Sequence, residues 1–524
     1  MAIRPKKLLT VVSKDTKTYN PTYEQVSNLN FLKEGNNLKV IASAGTGKSS
    51  SLRYFASEMP EKNFLVLCFN AANAKESNAH PDRPSNIYYS TIHSIAYRTI
   101  ITPKFRKKLS FLSWSDIPMD ELASIVEDLS NTSTEKNKFT LSNKVSRLIL
   151  DCVQFYCRSD KNSLFDFARN FFTVSSVVEE SGIDNLSPRQ IDILSNLTVN
   201  YWMLLINEDN SATISHDVYL KLYQLLNKKI TIFIDSDTKT EVQIDILCLD
   251  EAQDTNPVSE DIFTMQGHLQ RVLIGDPMQQ LYLWRGAGNT MNRFNNFATG
   301  TLTKSFRFNE SIANMANTML TTANSSISVI GAGTKTEINS VAHLCRTNAS
   351  VVKAISSYAN EGKKIYTNIV LNDVFSKLFH MQSCFFNEKP KYPNKDLKHI
   401  TNKETLLAGF AISEELVRLD RLRQNLENLG TLYNVKKSLE KSIVASPSDA
   451  DIVVTTIHAS KGLEYNLVRI DEDFINVESG ELITDEAVET ILKQNESLLC
   501  LLFVAVTRAE VEVELPYYLR KYFS

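Results

Sequence analysis

The run Ala42-Ser-Ala-Gly-Thr-Gly-Lys-Ser49 has the residue types of a phosphate-binding loop. Gly45 and Gly47 let the backbone turn tightly and come close to a polyphosphate. Lys48 reaches the outer phosphates, and the Ser49 hydroxyl suits Mg²⁺. Backbone N–H groups along Ser43, Ala44 and Thr46, together with the positive end of a following helix, face the same anion. Ala42 stands where the G-x-x-x-x-G-K-[ST] pattern has its first glycine. A second constellation is Asp250-Glu251-Ala-Gln-Asp254, two adjacent carboxylates delivered by an apolar run. One carboxylate beside a phosphate loop can hold Mg²⁺; the other can orient or deprotonate water. Gln279 follows another apolar run, where it can sense a γ-phosphate. Trp284 beside Arg285 offers a base-stacking face, though a core tryptophan is an equal reading. Gln25 has an amide able to read the edge of adenine, or is a plain surface glutamine. A lone histidine is more often structural, so His93 needs companions before it counts as a ligand.

These groups need strands that end beside them. Leu38–Ala42, Phe64–Phe69, Tyr88–Ser94, Ile244–Asp250 and Arg271–Asp276 read as buried strands ending in polar residues, the pattern of an open parallel sheet. A helix is expected over 50–57, where Leu52, Phe55 and Ala56 recur at helical spacing. Between Arg98 and Gln243 the strand rhythm stops; the stretch reads as helical and closes with the amphipathic run Ser215–Leu225. Strand-like runs return at Ala342–Cys345, Asp451–Thr456 and Leu501–Val506. Between them, 371–446 reads as a second helical insertion, with a loop over 387–402 and one long amphipathic helix over 412–441.

At 524 residues the chain exceeds one core. Hydrophobic content of 43% and charged content of 22% are those of a soluble globular protein. The net charge of -3 advertises no global basic field, but a local groove outweighs the sum for nucleic-acid binding. Seven dispersed cysteines without a C-x-x-C pair fit reduced thiols in a cytosolic or nuclear compartment. No apolar run is long enough for a membrane span.

Taken in order, these motifs resemble the UvrD/Rep-type helicases of superfamily 1A. The segments Ile41–Ser49, His216–Leu225, Leu302–Phe308 and Leu501–Ala509 are most similar to the F-box DNA helicase branch. The short N-terminal stretch is expected to leave no room for an F-box, so the resemblance is to the motor. It implies an α/β fold of two RecA-like parallel-sheet lobes, each with a helical insertion. The first lobe would comprise 1–98 and 244–300 with the insertion 99–243; the second, 301–370 and 447–524 with the insertion 371–446. It implies that Gln25 reads adenine, that Phe306 stacks on it, and that Lys48 and Ser49 hold phosphates and Mg²⁺. Asp250 would support the metal, Glu251 would activate water, and Gln279, Arg307 and Arg508 would meet the γ-phosphate. Glu464 would touch the ribose. Phe69, Thr91, His93, Trp284, Arg346, Asn348, Thr456 and His458 would line a single-stranded DNA track. Ala71 and Ser305 depart from the family pattern. The implied activity is ATP-dependent translocation, 3′ to 5′, on single-stranded DNA and its junctions with duplex, in repair, recombination or replication. The rival is an ATP-gated DNA-binding subunit of a repair or anti-phage complex that does not unwind alone. The compartment would be the cytoplasm or nucleoid of a prokaryotic or viral host, or the nucleus of a eukaryote.

Overall fold

The computed structural model describes residues 20–523, apart from 131–134, 177, 179–182, 184–185, 236–239, 282–289, 391–393, 395–396, 398–399, 411–412 and 476–484. Two parallel sheets organise it. The first contains β1 (Leu38–Ala42), β2 (Phe64–Leu67), β3 (Ile87–Ser90), β6 (Ile246–Asp250), β7 (Gln270–Gly275) and β8 (Ala298–Leu302), in the order β3-β2-β6-β7-β1-β8. The antiparallel hairpin β4 (Ile232–Asp235) and β5 (Thr240–Val242) precedes β6. Every pairing inside the large sheet is parallel, so all strands end on one rim. The side chains of β1, β2 and β6 and the end of β7 are almost wholly apolar and buried, as strands covered on both faces require, while the edge strand β8 is partly polar and exposed. Helices α1 (Tyr23–Lys33), α2 (Lys48–Glu58), α3 (Ala71–Ala79) and α4 (Ile92–Ile100) flank this sheet.

After a short pair, β9 (Lys304–Ser305) and β10 (Ile330–Gly331), the second sheet runs β12-β13-β11-β14-β15, again all parallel. Its strands are β11 (Val341–Cys345), β12 (Ile365–Tyr366), β13 (Ile452–Thr456), β14 (Tyr465–Ile470) and β15 (Ala509–Glu514).

Three sequence expectations change here. Leu501–Val506 is the end of an α-helix, Glu496–Val506, in which Leu498 to Val506 are all buried. A short run apolar on every side fits a fully buried helix as well as a strand, and periodicity cannot separate the two. The helix expected over 412–441 is two, Glu414–Glu427 and Leu432–Ser442, broken where Gly430 takes φ +140°. The stretch between Arg98 and Gln243 is helical from Pro103–Lys108 to His216–Leu225 but then holds the β4–β5 hairpin.

The stretch between α4 and that hairpin packs a core of its own around Ile149, Tyr156, Leu194 and Tyr201. The helices between β12 and β13 do not. Phe375, Leu378, Leu419 and Leu422 share one cluster with Val351, Val352 and Ile355 of helix Asn348–Asn360 and with Val454 of β13.

Candidate nucleotide cleft and nucleic-acid grooves

The phosphate loop joins β1 to α2, as its sequence predicts. Gly45 and Gly47 both take left-handed backbone angles, φ +71° and +86°, and α2 starts at Gly47 without a side-chain cap. Its first-turn amides therefore face outward from the loop, the arrangement that receives an anion. Ala42, Ser43, Ala44 and Thr46 are buried, with the Thr46 hydroxyl donating to Ser43 O at 2.8 Å. The loop leans on the segment after β8. Ser43 N–H donates to Leu302 O at 3.2 Å, and Phe306 N–H to Gly45 O at 2.9 Å. A Cβ on Gly45 would lie 2.5 Å from Arg307 Cβ and 2.6 Å from Ser305 Oγ, so this position has no room for a side chain.

At the ends of β6 and β7 the acids converge on Lys48. Its ammonium pairs with Glu251 at 3.3 Å. Burial would raise the Glu251 carboxyl, but Lys48, Lys461 and a hydrogen bond from Gln253 overcome it and hold the group at about 2. Asp250 is pushed the other way, to about 6, by burial and then by its charged neighbour Glu251. Glu251 sits at φ +51°, a backbone conformation that a non-glycine residue keeps only where its surroundings impose it. Gly275 makes room for Gln253, whose Oε1 accepts from Asp276 N–H at 3.0 Å.

Gln279 is the meeting point of the two sheets' contributions. Its Nε2 donates to Asp276 Oδ2 at 2.8 Å, and its Oε1 accepts from Arg508 Nη2 at 3.2 Å. Its backbone carbonyl accepts from Lys461 Nζ at 2.8 Å, and Lys461 also pairs with the buried Asp254. Arg508 is fully buried; burial, then the neighbouring Arg307, lowers its pKa to about 9. Arg307 donates to Glu464 at 2.7 Å and to Thr507 O at 2.9 Å. Lys48, Asp250, Glu251, Gln279, Arg307, Glu464 and Arg508 thus stand in one linked cleft. Phe306 is half exposed at its edge, with Lys304 5.5 Å above its ring. Gln25 is buried behind the phosphate loop at Gly47: its Oε1 caps α1 through Thr22 N–H at 2.9 Å, and its Nε2 donates to Ser51 Oγ at 2.9 Å.

The remaining site residues fall into two grooves. Phe69, Thr91 and His93 line one of about 550 Å³, with Tyr97, Arg98 and Tyr219. Thr91 caps α4, and His93 lies 3.7 Å from Asp217, which Arg158 also binds. Arg346, Asn348, Thr456 and His458 line another of about 800 Å³ at the rim of the second sheet. Burial, then Arg346, lowers the His458 pKa. Trp284 lies outside the described residues. Sequence reasoning missed Tyr97 and Tyr219, whose rings meet edge to face at 5.8 Å, and it missed Lys461 as a residue that crosses the cleft. The only signal for Lys461 was its place in Lys461-Gly-Leu-Glu464.

Ser49, Asp250 and Glu251 offer hard oxygen donors beside a phosphate loop, which fits Mg²⁺. Two parallel sheets, a phosphate loop with an acidic strand end, and two arginines reaching in, Arg307 from beyond β9 and Arg508 from the second sheet, define a P-loop nucleotide-binding protein built from two lobes. Residues 22–299 match the UvrD/REP helicase N-terminal domain, and the chain belongs to that family. It is similar to F-box DNA helicase 1 of Gallus gallus, 25% identical over 528 residues covering 93% of this chain and 48% of that protein. It is also similar to F-box DNA helicase protein 1 of Schizosaccharomyces pombe, 27% identical over 489 residues covering 84% and 51%. The chain thus spans about half the length of the curated relatives it matches. All seven cysteines are free and buried, and among the described residues no helix is long and apolar enough to cross a membrane.

Proposed function

We propose that this protein is an ATP-driven motor on single-stranded DNA, moving 3′ to 5′ and separating strands at junctions with duplex. The observation that carries this is Gln279, gripped through its side chain and its carbonyl by groups from the other lobe. A γ-phosphate sensor held this way makes hydrolysis depend on the closed cleft. The lobes would be 1–98 with 244–300 and 301–370 with 447–524, carrying the insertions 99–243 and 371–446.

Lys48 and the amides from Ser43 to Ser49 would bind the phosphates, with Gln25, Phe306 and Glu464 around the base and ribose. Ser49 and Asp250 would hold Mg²⁺, which draws charge from the phosphate oxygens when bound. When Lys48 turns to the phosphates, Glu251 loses the cation that does most to keep its pKa low and becomes more basic toward water. Arg307 and Arg508 would meet the charge that develops in the transition state, an effect worth roughly 10³–10⁵ in rate for an arginine finger. Phe69, Thr91, His93 and Trp284 in one lobe and Arg346, Asn348, Thr456 and His458 in the other would hold successive nucleotides, without sequence preference where they stack. The pathway would be repair, recombination or replication, in whichever compartment holds the host's DNA.

Lys48→Ala is expected to abolish DNA-stimulated ATP hydrolysis while single-strand binding persists; hydrolysis at the wild-type rate would overturn the reading. Strand displacement on 3′- and 5′-tailed duplexes sets polarity. Stimulated hydrolysis without displacement of either substrate would select the ATP-gated DNA-binding subunit instead.

A further inference from the structure

The groove at the rim of the second sheet has a second wall. Arg346, Asn348, Thr456 and His458 form one side; the other comes from the helices Leu371–Phe385 and Glu414–Glu427, which contribute Lys377 and Arg418. On those helices Phe375, Leu378, Leu416, Leu419 and Leu422 turn inward and share a core with Val351, Val352 and Ile355 of helix Asn348–Asn360. Swinging these helices away would tear that core open and expose both sets of side chains. The wall is therefore as fixed as the sheet beneath it. Lys377 pairs with Glu415 at 2.8 Å, and Arg418 follows one helical turn later on the same helix.

We propose that Lys377 and Arg418 bind phosphates of the single strand lying in this groove, so that the second insertion is a fixed part of the DNA track. This rests on the reading of the groove as a DNA site. It adds to that reading a wall built on the insertion rather than on the strand ends. Bound phosphate would take the place of Glu415 at Lys377, one anion exchanged for another.

The test measures the affinity of the full chain for a labelled oligothymidylate across a range of salt concentrations. Lys377→Gln and Arg418→Gln keep most of the buried stem and remove the charge. Each is expected to reduce the salt slope by about 0.7, and the pair by about 1.4, because a single-strand phosphate contact releases roughly that many counterions. Affinity of the double variant should fall roughly tenfold or more, uniformly across base sequences. Glu415→Gln removes the carboxylate that pairs with Lys377, leaving Asp373 in the groove, and should tighten binding. DNA-independent ATP hydrolysis should be unchanged in all of these variants. Wild-type affinity and slope in the double variant would overturn the proposal while leaving the groove's other side intact. Should the double variant lose thermal stability, weaker or unchanged binding by Glu415→Gln would overturn it just as well. A wild-type chain that binds no oligothymidylate would sink the DNA reading of the whole groove, a different and recognisable failure.

Discussion

The two helical insertions are attached to their sheets in opposite ways. The first, from Pro103 to Leu225, has its own apolar core and meets the sheet chiefly through one helix, His216–Leu225. Val218 of that helix faces the insertion's core, while Tyr219, Leu220 and Tyr223 face the sheet. Polar contacts secure the joint. Asp217 of the insertion reaches His93 and Gln224 reaches Asp261 at 2.7 Å across it, while Arg158 with Asp217, and Lys221 with the Ser159 and Lys161 carbonyls, hold that helix to the rest of the insertion. Among the described residues the second insertion has no separate core; its apolar faces complete the sheet's own. Apolar burial is non-directional and grows with area, whereas the contacts of Asp217 with His93 and Gln224 with Asp261 are directional and few. The first insertion is a body mounted beside its sheet, and the second is part of the frame of its own.

This contrast can be broken by substitution. The largest effect is expected from Phe375→Ala, about 3–5 kcal/mol for an aromatic removed from a closed core. Hydrogen exchange should then quicken together in β11, in β13 and in the helix Leu371–Phe385. Protection lost in that helix alone would mean that the core is not shared. Ile149→Ala, at about 2–5 kcal/mol, should open the first insertion while β1 and β2 keep their protection. Loss of protection in both places would contradict a separate core.

The smallest effect tests how the helix His216–Leu225 is held to the rest of its insertion. Lys221→Met strands two backbone carbonyls and should cost about 1–3 kcal/mol. Burial holds the Lys221 ammonium at about 8 in the fold, against an ordinary 10.5. Between those values the unfolded chain carries the extra proton, so this group's contribution is full above 10.5 and is lost as pH falls through 8. Wild-type stability measured by denaturant should therefore gain on Lys221→Met between pH 8 and 10.5. A constant difference would show that Lys221 does not titrate there.

Much of the cleft was legible because its chemistry is local in sequence. Gly45 to Ser49, Asp250–Glu251 and Gln279 each follow an apolar run, and open parallel sheets gather strand ends on one rim. The resemblance added Arg307, just after β9, and Glu464 and Arg508, just before β14 and β15 of the second sheet. Tyr97 and Tyr219 were hidden because each sits at helical spacing among apolar neighbours, where core packing is the ordinary explanation. β15, Ala509–Glu514, alternates Glu and Val as an edge strand does, yet its signal was masked by the long apolar helix before it. Which core an insertion joins is fixed by tertiary packing, and no periodicity encodes it.

The segment from Thr456 to Glu464 carries a further consequence. Thr456 and His458 line the second groove; Lys461 reaches Asp254 and Gln279, and Glu464 holds Arg307. Between the groove and the cleft there is only one short piece of chain, with no intervening domain to absorb a displacement. A shift at one end has only that short arm through which to reach the other. In the proposed translocation, such a linkage would favour small steps over long strokes.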